Sequence, residues 1–441
     1  MSTATPSFQR NTRWVIWAIG LFVGLKLIYG IYGGLTGAGD FEGRYVSTRS
    51  ILEGVDPYRV DLDAERTPSQ IRRGADYLPS ALLPMLVLTF LPLQAARFVW
   101  LLISLACAGV LLRQSLALEP LRTSRIAGLG ATGLAISLWL SGSAFSNHLQ
   151  LGQNCLFSLA FGLAAVKAAR KQHHYWGGFL LALALFKYAY IWPVLMVVYL
   201  DRAWKTLVFA GIIHLVVHLA LCHWMSVGPI DVLGEVLQLN SRIFRRNETL
   251  TFWLPWRFFS SFVPVGSTAA NILGAVTFLL FTALAGFAWR RDQTHGNDAG
   301  WILVFGNLST LAVASKGYQL VYFLPGWLWC FRWWHSPETR SLSRWVAVSM
   351  FAISIGIPFV RRAEIWASET GDAPVALGLL NIALASLCVT SAQLLRTAIR
   401  IQSTAIPAGS ASGIIPKPSP SGQVSTGDAD SGALSCPATD P

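Results

Sequence analysis

The chain alternates apolar runs with short polar links, and many of the runs are long enough to cross a bilayer. A spanning helix needs about 20 predominantly apolar residues. Because lipid offers the backbone no hydrogen bonds, and because the runs are too long and uniform for barrel strands, the pattern predicts α-helices. We expect an all-α, polytopic transmembrane bundle of about 10–13 membrane segments. The apolar runs lie near residues 14–34, 78–92, 94–112, 126–141, 152–166, 175–200, 206–224, 269–289, 301–314, 318–333, 345–360 and 376–395.

Two of these runs do not fit a simple crossing. Three prolines bracket the run at 78–92, which predicts a short or re-entrant piece instead of a full span. The run at 175–200 lies between two basic links, so it must enter the membrane and return on the same side. Two half-helices that turn near residues 186–193 would satisfy this condition.

The polar links predict the orientation of the bundle. Cytoplasmic links carry an excess of Lys and Arg, so we assign the basic links to the cytoplasm. Arg10 and Arg13 precede the first run, which lacks a small-residue cleavage site and is therefore interpreted as an uncleaved first helix with a cytoplasmic N-terminus. Residues 35–77 and 225–268 become the two main external loops. The basic links contain Arg113, Arg122 and Arg125; Lys167, Arg170 and Lys171; Arg202 and Lys205; Arg290 and Arg291; and Arg332, Arg340 and Arg344.

Composition and charge further narrow the classes of protein to which the chain can belong. The chain is 53% hydrophobic and carries a net charge of +12, but its basic residues are spread between apolar runs instead of forming a stripe. They suit membrane topology and contacts with lipid phosphates better than nucleic acid. The six cysteines are scattered without a CxxC pair, so we expect neither disulfides nor a metal site. We assign residues 1–402 to one membrane domain and residues 403–441, rich in Ser, Gly, Pro and Ala, to a disordered cytoplasmic tail.

Acidic residues are concentrated in one place. Eight of the 22 acidic residues lie in the first external loop, whereas the predicted apolar runs contain none. A transporter driven by protons or cations usually needs carboxylates inside the bundle. Charged chemistry is therefore expected at the external face, in a loop that contains at least one interfacial helix. The eight residues are Asp40, Glu42, Glu53, Asp56, Asp61, Asp63, Glu65 and Asp76.

Asp40 has two competing interpretations. It follows Gly37 and Gly39 directly after the first helix, at the predicted membrane boundary. A carboxylate at the edge of the hydrocarbon region is a candidate proton acceptor. Alternatively, Asp40 caps a helix predicted over residues 41–53, since Asp is one of the preferred N-cap residues.

Several segments in a fixed order resemble the family 87 glycosyltransferases of the membrane-embedded C-type superfamily. The resemblance implies a polyprenyl-phosphate-mannose donor, an acceptor hydroxyl outside the cytoplasm and inversion at the anomeric carbon. It also implies a catalytic aspartate in the first external loop, which corresponds to Asp40. The segments are "GDF…Y…ILEGVDPY" (39–58), "DYLPSALLPMLVLTFLP" (76–92), "LQLGQNCLF" (149–157), "FLLALALFKY" (179–188) and "NETL" (247–250).

The chain departs from the family at two points. Tyr188 follows Lys187 where the family usually has proline. Residues 315–319 replace a family "SP" segment that often has a histidine or an acid nearby. The second departure bears on which sugar and which acceptor the protein uses.

Such a reaction needs cations for the leaving phosphate and polar groups for the sugar. Arg or Lys alone neutralises a lipid monophosphate, so no cofactor or metal is required. His214 and His218 lie one helical turn apart but lack a third ligand, which favours core histidines. Each candidate also has a structural interpretation, such as lipid anchoring for Arg361 and Arg362. The candidates for donor or substrate binding are His148, Gln153, Asn154, Lys187, Asn247, Lys316, Arg361 and Arg362, followed by Arg242, Arg245 and Arg246.

Together these features predict an integral membrane glycosyltransferase. It moves a hexose, mannose by the resemblance, from a polyprenyl phosphate to a lipid-linked or glycan acceptor at the external face, with Asp40 as general base. The alternative from another class is a transporter or flippase of lipid-linked sugars, in which the loop carboxylates serve as gate residues. The expected location is the cell membrane, in which the protein is multi-pass with both termini in the cytoplasm.

Overall fold

The structure is a computed structural model, and its described elements are helical. No strand occurs within the described ranges, which confirms the prediction of an all-α fold. The described residues are 6–37, 39–58, 77–118, 136–137, 139–140, 143–187, 191–246, 276, 279–280, 282–289, 300–305, 324–333, 337–346, 348–349, 386–387 and 389–401.

The main helices are numbered in chain order. Short 3-10 helices lie at Pro79–Leu82, Leu88–Phe90 and Leu185–Lys187. The α-helices are α1 (Pro6–Thr36), α2 (Gly39–Leu52), α3 (Leu83–Leu86), α4 (Leu93–Leu118), α5 (Ser143–Leu151), α6 (Cys155–Arg170), α7 (His174–Ala184), α8 (Trp192–Leu200), α9 (Trp204–Trp224), α10 (Pro229–Arg246) and α11 (Leu324–Arg332).

Three described helical stretches are long and apolar enough to cross a membrane. They are Gly20–Leu52, which runs through α1 and α2, Leu93–Leu116 in α4, and Trp204–Trp224, which is α9. A fourth crossing is possible if α5 and α6, bent by 109° at their junction, form one broken span. Large apolar side chains such as Ile212 and Leu215 of α9 are exposed, as expected for a surface that faces lipid. These features confirm a helical membrane bundle.

The segment at 78–92 is not a spanning helix. It consists of a 3-10 turn, the single-turn helix α3 and a second 3-10 turn. The prolines interrupt helix continuity because they lack the amide hydrogen and restrict the preceding residue. The hydroxyl of Tyr45 donates a 2.6 Å hydrogen bond to the carbonyl of Leu91, which joins this segment to α2. The prediction of a short piece that packs against protein is confirmed.

The helices α7 and α8 form the predicted reversal, a helical hairpin in which residues 188–190 lie outside the described residues. The helix α7 leads away from the link at 171–173, and α8 returns to the link at 201–203. Arg170, at the end of α6, and Asp201, which follows α8, form an ion pair with a distance of 2.7 Å between Nε and Oδ2. Because this pair ties the ends of α6 and α8 together, Lys187 lies at the opposite end of the hairpin.

Two glycines allow helices around the hairpin and the site to approach closely. A Cβ atom on Gly178 of α7 would lie 2.8 Å from the Cβ of Phe209 in α9. A Cβ atom on Gly34 of α1 would lie 2.8 Å from the carbonyl oxygen of Leu149 in α5. The first contact packs the reversal against α9, and the second places the end of α5 beside the start of α2.

Candidate active site

Asp40 lies in the first turn of α2. The helix begins at Gly39, two residues earlier than predicted, so Asp40 is its second residue and does not occupy the N-cap position before it. A carboxylate in the first turn interacts favourably with the helix dipole. The side chain is half-buried, whereas Phe41 and Tyr45 on the same helix are buried against the bundle. Asp40 is thus held by a packed helix and not by a loose loop.

A sharp break between α5 and α6 forms the opposite side of the site. Gly152 has a φ of +63°, a conformation that side chains other than glycine rarely adopt. The amide of Gln153 donates to the carbonyl of His148 at 3.0 Å, and the amide of Gly152 donates to that of Leu149 at 3.1 Å. These bonds form a Schellman motif that ends α5. The break places Gln153 and Asn154 at the start of α6.

One hydrogen-bond chain connects three of the residues that the sequence singled out. The side-chain amide nitrogen of Gln153, Nε2, donates to Oδ2 of Asp40. Lys187 Nζ donates to Gln153 Oε1 at 2.8 Å and to the hydroxyl of Tyr77 at 3.1 Å. The chain thereby joins α2, the α5–α6 break, the turn of the hairpin and the segment before Pro79.

Gln153 separates opposite charges. Its amide group donates to a carboxylate and accepts from an ammonium group, so Asp40 and Lys187 interact through it. Lys187 is only 4% exposed, and a buried ammonium group must find hydrogen-bond acceptors to offset the loss of water. Gln153 and Tyr77 supply such acceptors. The side chain of Asp40, by contrast, is only half-buried.

The backbone of Gly152 is held by two long side chains. Arg44 Nη2 donates a 2.5 Å hydrogen bond to the Gly152 carbonyl, and Trp100 Nε1 donates a 2.9 Å bond to the same oxygen. Both side chains are buried. The sequence predictions did not include Arg44, Trp100 or Tyr77. Only Arg44 had a usable signal, since it lies four residues after Asp40 and therefore on the same helical face.

His148 and Asn154 are buried next to Gln153, which is itself buried. His148 is fully buried, and neither of its ring nitrogens has a hydrogen-bond partner among the described residues. Asn154 Nδ2 donates to the carbonyl of Phe186 at 3.2 Å, which ties the start of α6 to the 3-10 turn that contains Lys187. Their binding of donor or substrate stays a prediction.

A cluster of aromatic rings packs beside the residues of the hydrogen-bond chain. The ring of Trp100 lies 6.0 Å from that of Phe41, 5.8 Å from that of Phe157 and 5.9 Å from that of Phe186, measured between centroids. These rings come from α2, α4, α6 and the turn of the hairpin. Their packing fixes the elements that carry Asp40, Gln153 and Lys187 relative to one another.

The remaining predicted residues divide into two groups. His214 Nε2 donates to the carbonyl of Ala182 at 2.9 Å, and His218 Nε2 donates to that of Pro229 at 3.2 Å, as expected for core histidines. No group of His, Cys, Asp or Glu able to hold a metal ion occurs in the part of the chain that the structure describes. The predicted residues that lie outside the described residues are Asn247, Lys316, Arg361 and Arg362, and the side chains of Arg242, Arg245 and Arg246 lie outside them as well.

The fold and the site define a helical membrane protein with a polar, charged site at one end of its bundle. Residues 77–354 match glycosyltransferase family 87, so the chain belongs to this family and is a glycosyltransferase. The resemblance found in the sequence is confirmed. Tyr77, Gln153 and Lys187 lie inside the matched region, whereas Asp40 precedes it. Comparisons with curated proteins and with solved structures return no match.

Proposed function

We propose that this glycosyltransferase transfers a hexose, specifically mannose, from a polyprenyl-phosphate donor to a lipid-linked or glycan acceptor at the external face of the membrane, with inversion. The observation that carries the proposal is the chain from Asp40 through Gln153 to Lys187. It holds a carboxylate and a cation at fixed positions at one end of the bundle. Transfer from a lipid phosphate requires both groups.

In this proposal Asp40 is the general base. It accepts the proton of the acceptor hydroxyl as that oxygen attacks the anomeric carbon of the donor. The half-buried position of Asp40 leaves it open to an acceptor. The hydrogen bond from Gln153 orients the carboxylate without neutralising it, because the amide carries no charge.

Lys187 supplies the positive charge for the leaving phosphate. As the bond between sugar and phosphate breaks, negative charge grows on the phosphate oxygens, and a preorganised cation stabilises it. Gln153 keeps the ammonium group away from Asp40, so the two charges act on opposite sides of the sugar. In-line displacement with inversion needs this separation of base and leaving group.

The hairpin formed by α7 and α8 supports the proposed side of the membrane. The Arg170–Asp201 ion pair lies at the end with the basic links around Lys171, Arg202 and Lys205, which the positive-inside rule places in the cytoplasm. Lys187 lies at the other end, together with Asp40. We therefore place the site at the external face of the cell membrane, with both chain termini in the cytoplasm.

The site resembles an enzyme site more than an ion-coupled transport path. The helices α1, α4, α6 and α9 contain no Asp or Glu, and the two acids of the Gly20–Leu52 stretch, Asp40 and Glu42, lie in the first turn of α2. Carboxylates inside the bundle usually provide the relay in proton- or cation-coupled transporters. Membership of a glycosyltransferase family agrees with the enzyme and disfavours the transporter alternative.

The test uses the purified full-length protein in liposomes with radiolabelled polyprenyl-phosphate sugars and cell-envelope lipids as acceptors. We expect transfer from polyprenyl-phosphate-mannose, a product of opposite anomeric configuration and a loss of about 10²- to 10⁴-fold in the transfer rate of the Asp40→Asn variant. Transfer from a nucleotide sugar but not from any polyprenyl-phosphate sugar would refute the donor assignment. A product that retains the donor configuration would refute the single displacement.

A further inference from the structure

An ion pair joins α2 to the start of α4. Glu42 lies two residues after Asp40, and its carboxylate pairs with Nη2 of Arg97. Arg97 is 8% exposed, and its Nη1 also donates to Gln94 Oε1 at 3.1 Å. An ion pair with one partner this deeply buried resists solvent screening better than a surface pair. The contact therefore holds α2 against α4.

Arg44 makes a second contact from another face of α2. Successive residues turn by about 100°, so Arg44 returns to the face of Asp40, while Glu42 points to a roughly opposite face. Arg44 and Asp40 contact Gly152 and Gln153, which are neighbours in the α5–α6 break. The helix is thus held on two sides, by α4 through Glu42 and by the break through Arg44.

We propose that Glu42 and Arg97 are positioning residues, whose ion pair sets the rotation of α2 so that Asp40 meets Gln153. The effect of the ion pair on transfer rests on the proposed function, whereas its effect on the position of Asp40 does not. Without the ion pair, α2 loses its charged contact with α4, and what remains is the hydrogen bond from Tyr45 to Leu91, the contact of Arg44 and apolar packing. A rotation of the helix then moves the carboxylate of Asp40 away from Gln153 and from its place opposite Lys187.

The structure also supplies a matched control. Arg49 and Glu53 form another ion pair on the same helix, with a distance of 3.0 Å between Nε and Oε1. Their side chains are 57% and 59% exposed, and the pair lies within α2 and its C-terminal turn instead of joining α2 to another helix. Loss of this pair removes one charge from the same helix and leaves the docking of α2 intact. Exposed pairs of this kind contribute little.

The first experiment measures geometry without activity. All six native cysteines are replaced by alanine in the full chain, and cysteines are then placed at positions 40 and 153. The yield of cross-linking by a short bifunctional thiol reagent is measured in membranes. We expect Glu42→Gln and Arg97→Gln to lower the yield several-fold, and Glu53→Gln to leave it unchanged. Equal yields in all three backgrounds would overturn the proposal.

The second experiment measures transfer in the native background. Glu42→Gln should lower kcat by about 10- to 100-fold with little change in the donor KM, because small misplacements of a reacting group are costly. The reversed pair, Glu42→Arg with Arg97→Glu, should recover much of the loss, since it restores an ion pair between the same positions. The recovery also excludes a simple folding defect. Failure of the reversed pair to exceed either single variant would contradict the ion-pair role.

The two experiments separate this proposal from the proposed function. Loss of cross-linking together with absence of transfer by the wild-type protein would support the ion pair and refute the reaction. Transfer by the wild-type protein that is unaffected by Glu42→Gln would support the reaction and refute the positioning role.

Discussion

Lys187 donates a 2.8 Å hydrogen bond to Gln153, although 34 residues separate them in the chain. One residue lies at the turn of a hairpin and the other at the break between two helices. The same amide group contacts Asp40 on its other side. This relationship makes Gln153 the centre of the site and links the candidate base to the candidate phosphate ligand.

Gln153 should therefore act as a unit with Lys187. We expect Gln153→Ala and Lys187→Ala each to reduce transfer strongly, and the double variant to lose much less than the sum of the two free-energy changes. Residues in one hydrogen-bond network commonly show coupling of about 0.5–3 kcal/mol. A double-mutant cycle on kcat/KM measures this coupling. Additive losses would show that the two side chains act independently.

Lys187 should affect use of the donor most. Lys187→Ala removes a charge-assisted contact, worth about 1.5–3 kcal/mol, which corresponds to roughly 10- to 150-fold in apparent donor affinity. Lys187→Arg keeps the charge and should retain part of the activity. The measurement is the donor KM with the amount of folded protein held equal. An unchanged donor KM in Lys187→Ala would move the phosphate site elsewhere, and Arg361 and Arg362 would be tested next.

The proposed topology can be tested by labelling with an impermeant thiol reagent in intact cells, again in a chain without native cysteines. A cysteine at position 53, at the end of α2, should react from outside, and so should cysteines at 60 and 365. Cysteines at 120 and 171 should react only after the membrane is opened, because the positive-inside rule places those links in the cytoplasm. Labelling of position 171 from outside would invert the whole arrangement.

The close packing of α7 against α9 predicts a difference between two glycines. Gly178→Ala places a Cβ 2.8 Å from Phe209 and 3.0 Å from the carbonyl of Thr206, whereas Gly211 on α9 has no atom within 4 Å of an added Cβ. Overpacking of this kind typically costs about 1–3 kcal/mol. We expect Gly178→Ala to lower the thermal unfolding temperature in detergent and Gly211→Ala to leave it nearly unchanged. Equal temperatures would contradict the described contact.

Apolar runs predicted much of the helical framework because a membrane imposes a simple rule on the chain. The runs near 14–34, 94–112 and 206–224 correspond to α1, α4 and α9. The prolines at 78–92 and the basic links around 175–200 also predicted a short segment and a reversal. In each case the physical cause is local, since it depends on backbone hydrogen bonding or on charge near one segment.

The candidate site was predictable only in part. Asp40, Gln153 and Lys187 could be selected by residue type and by resemblance, but nothing local shows that one amide joins them. Glu42 looked like one more acid in a charged loop, yet it pairs with Arg97, which is 55 residues away. Contacts of this kind depend on how distant helices pack, and one sequence contains no direct signal of such packing.

We propose that Asp40 takes the proton of the acceptor, and the transfer rate of Asp40→Asn tests this role most directly. Asparagine keeps the size of the side chain and can still accept a hydrogen bond from Gln153, so folding and donor binding should be preserved. Loss of the base should lower kcat by about 10²- to 10⁴-fold, while Glu53→Gln, which removes an exposed charge from the same segment, should keep most of the activity. Full turnover by folded Asp40→Asn would contradict the account.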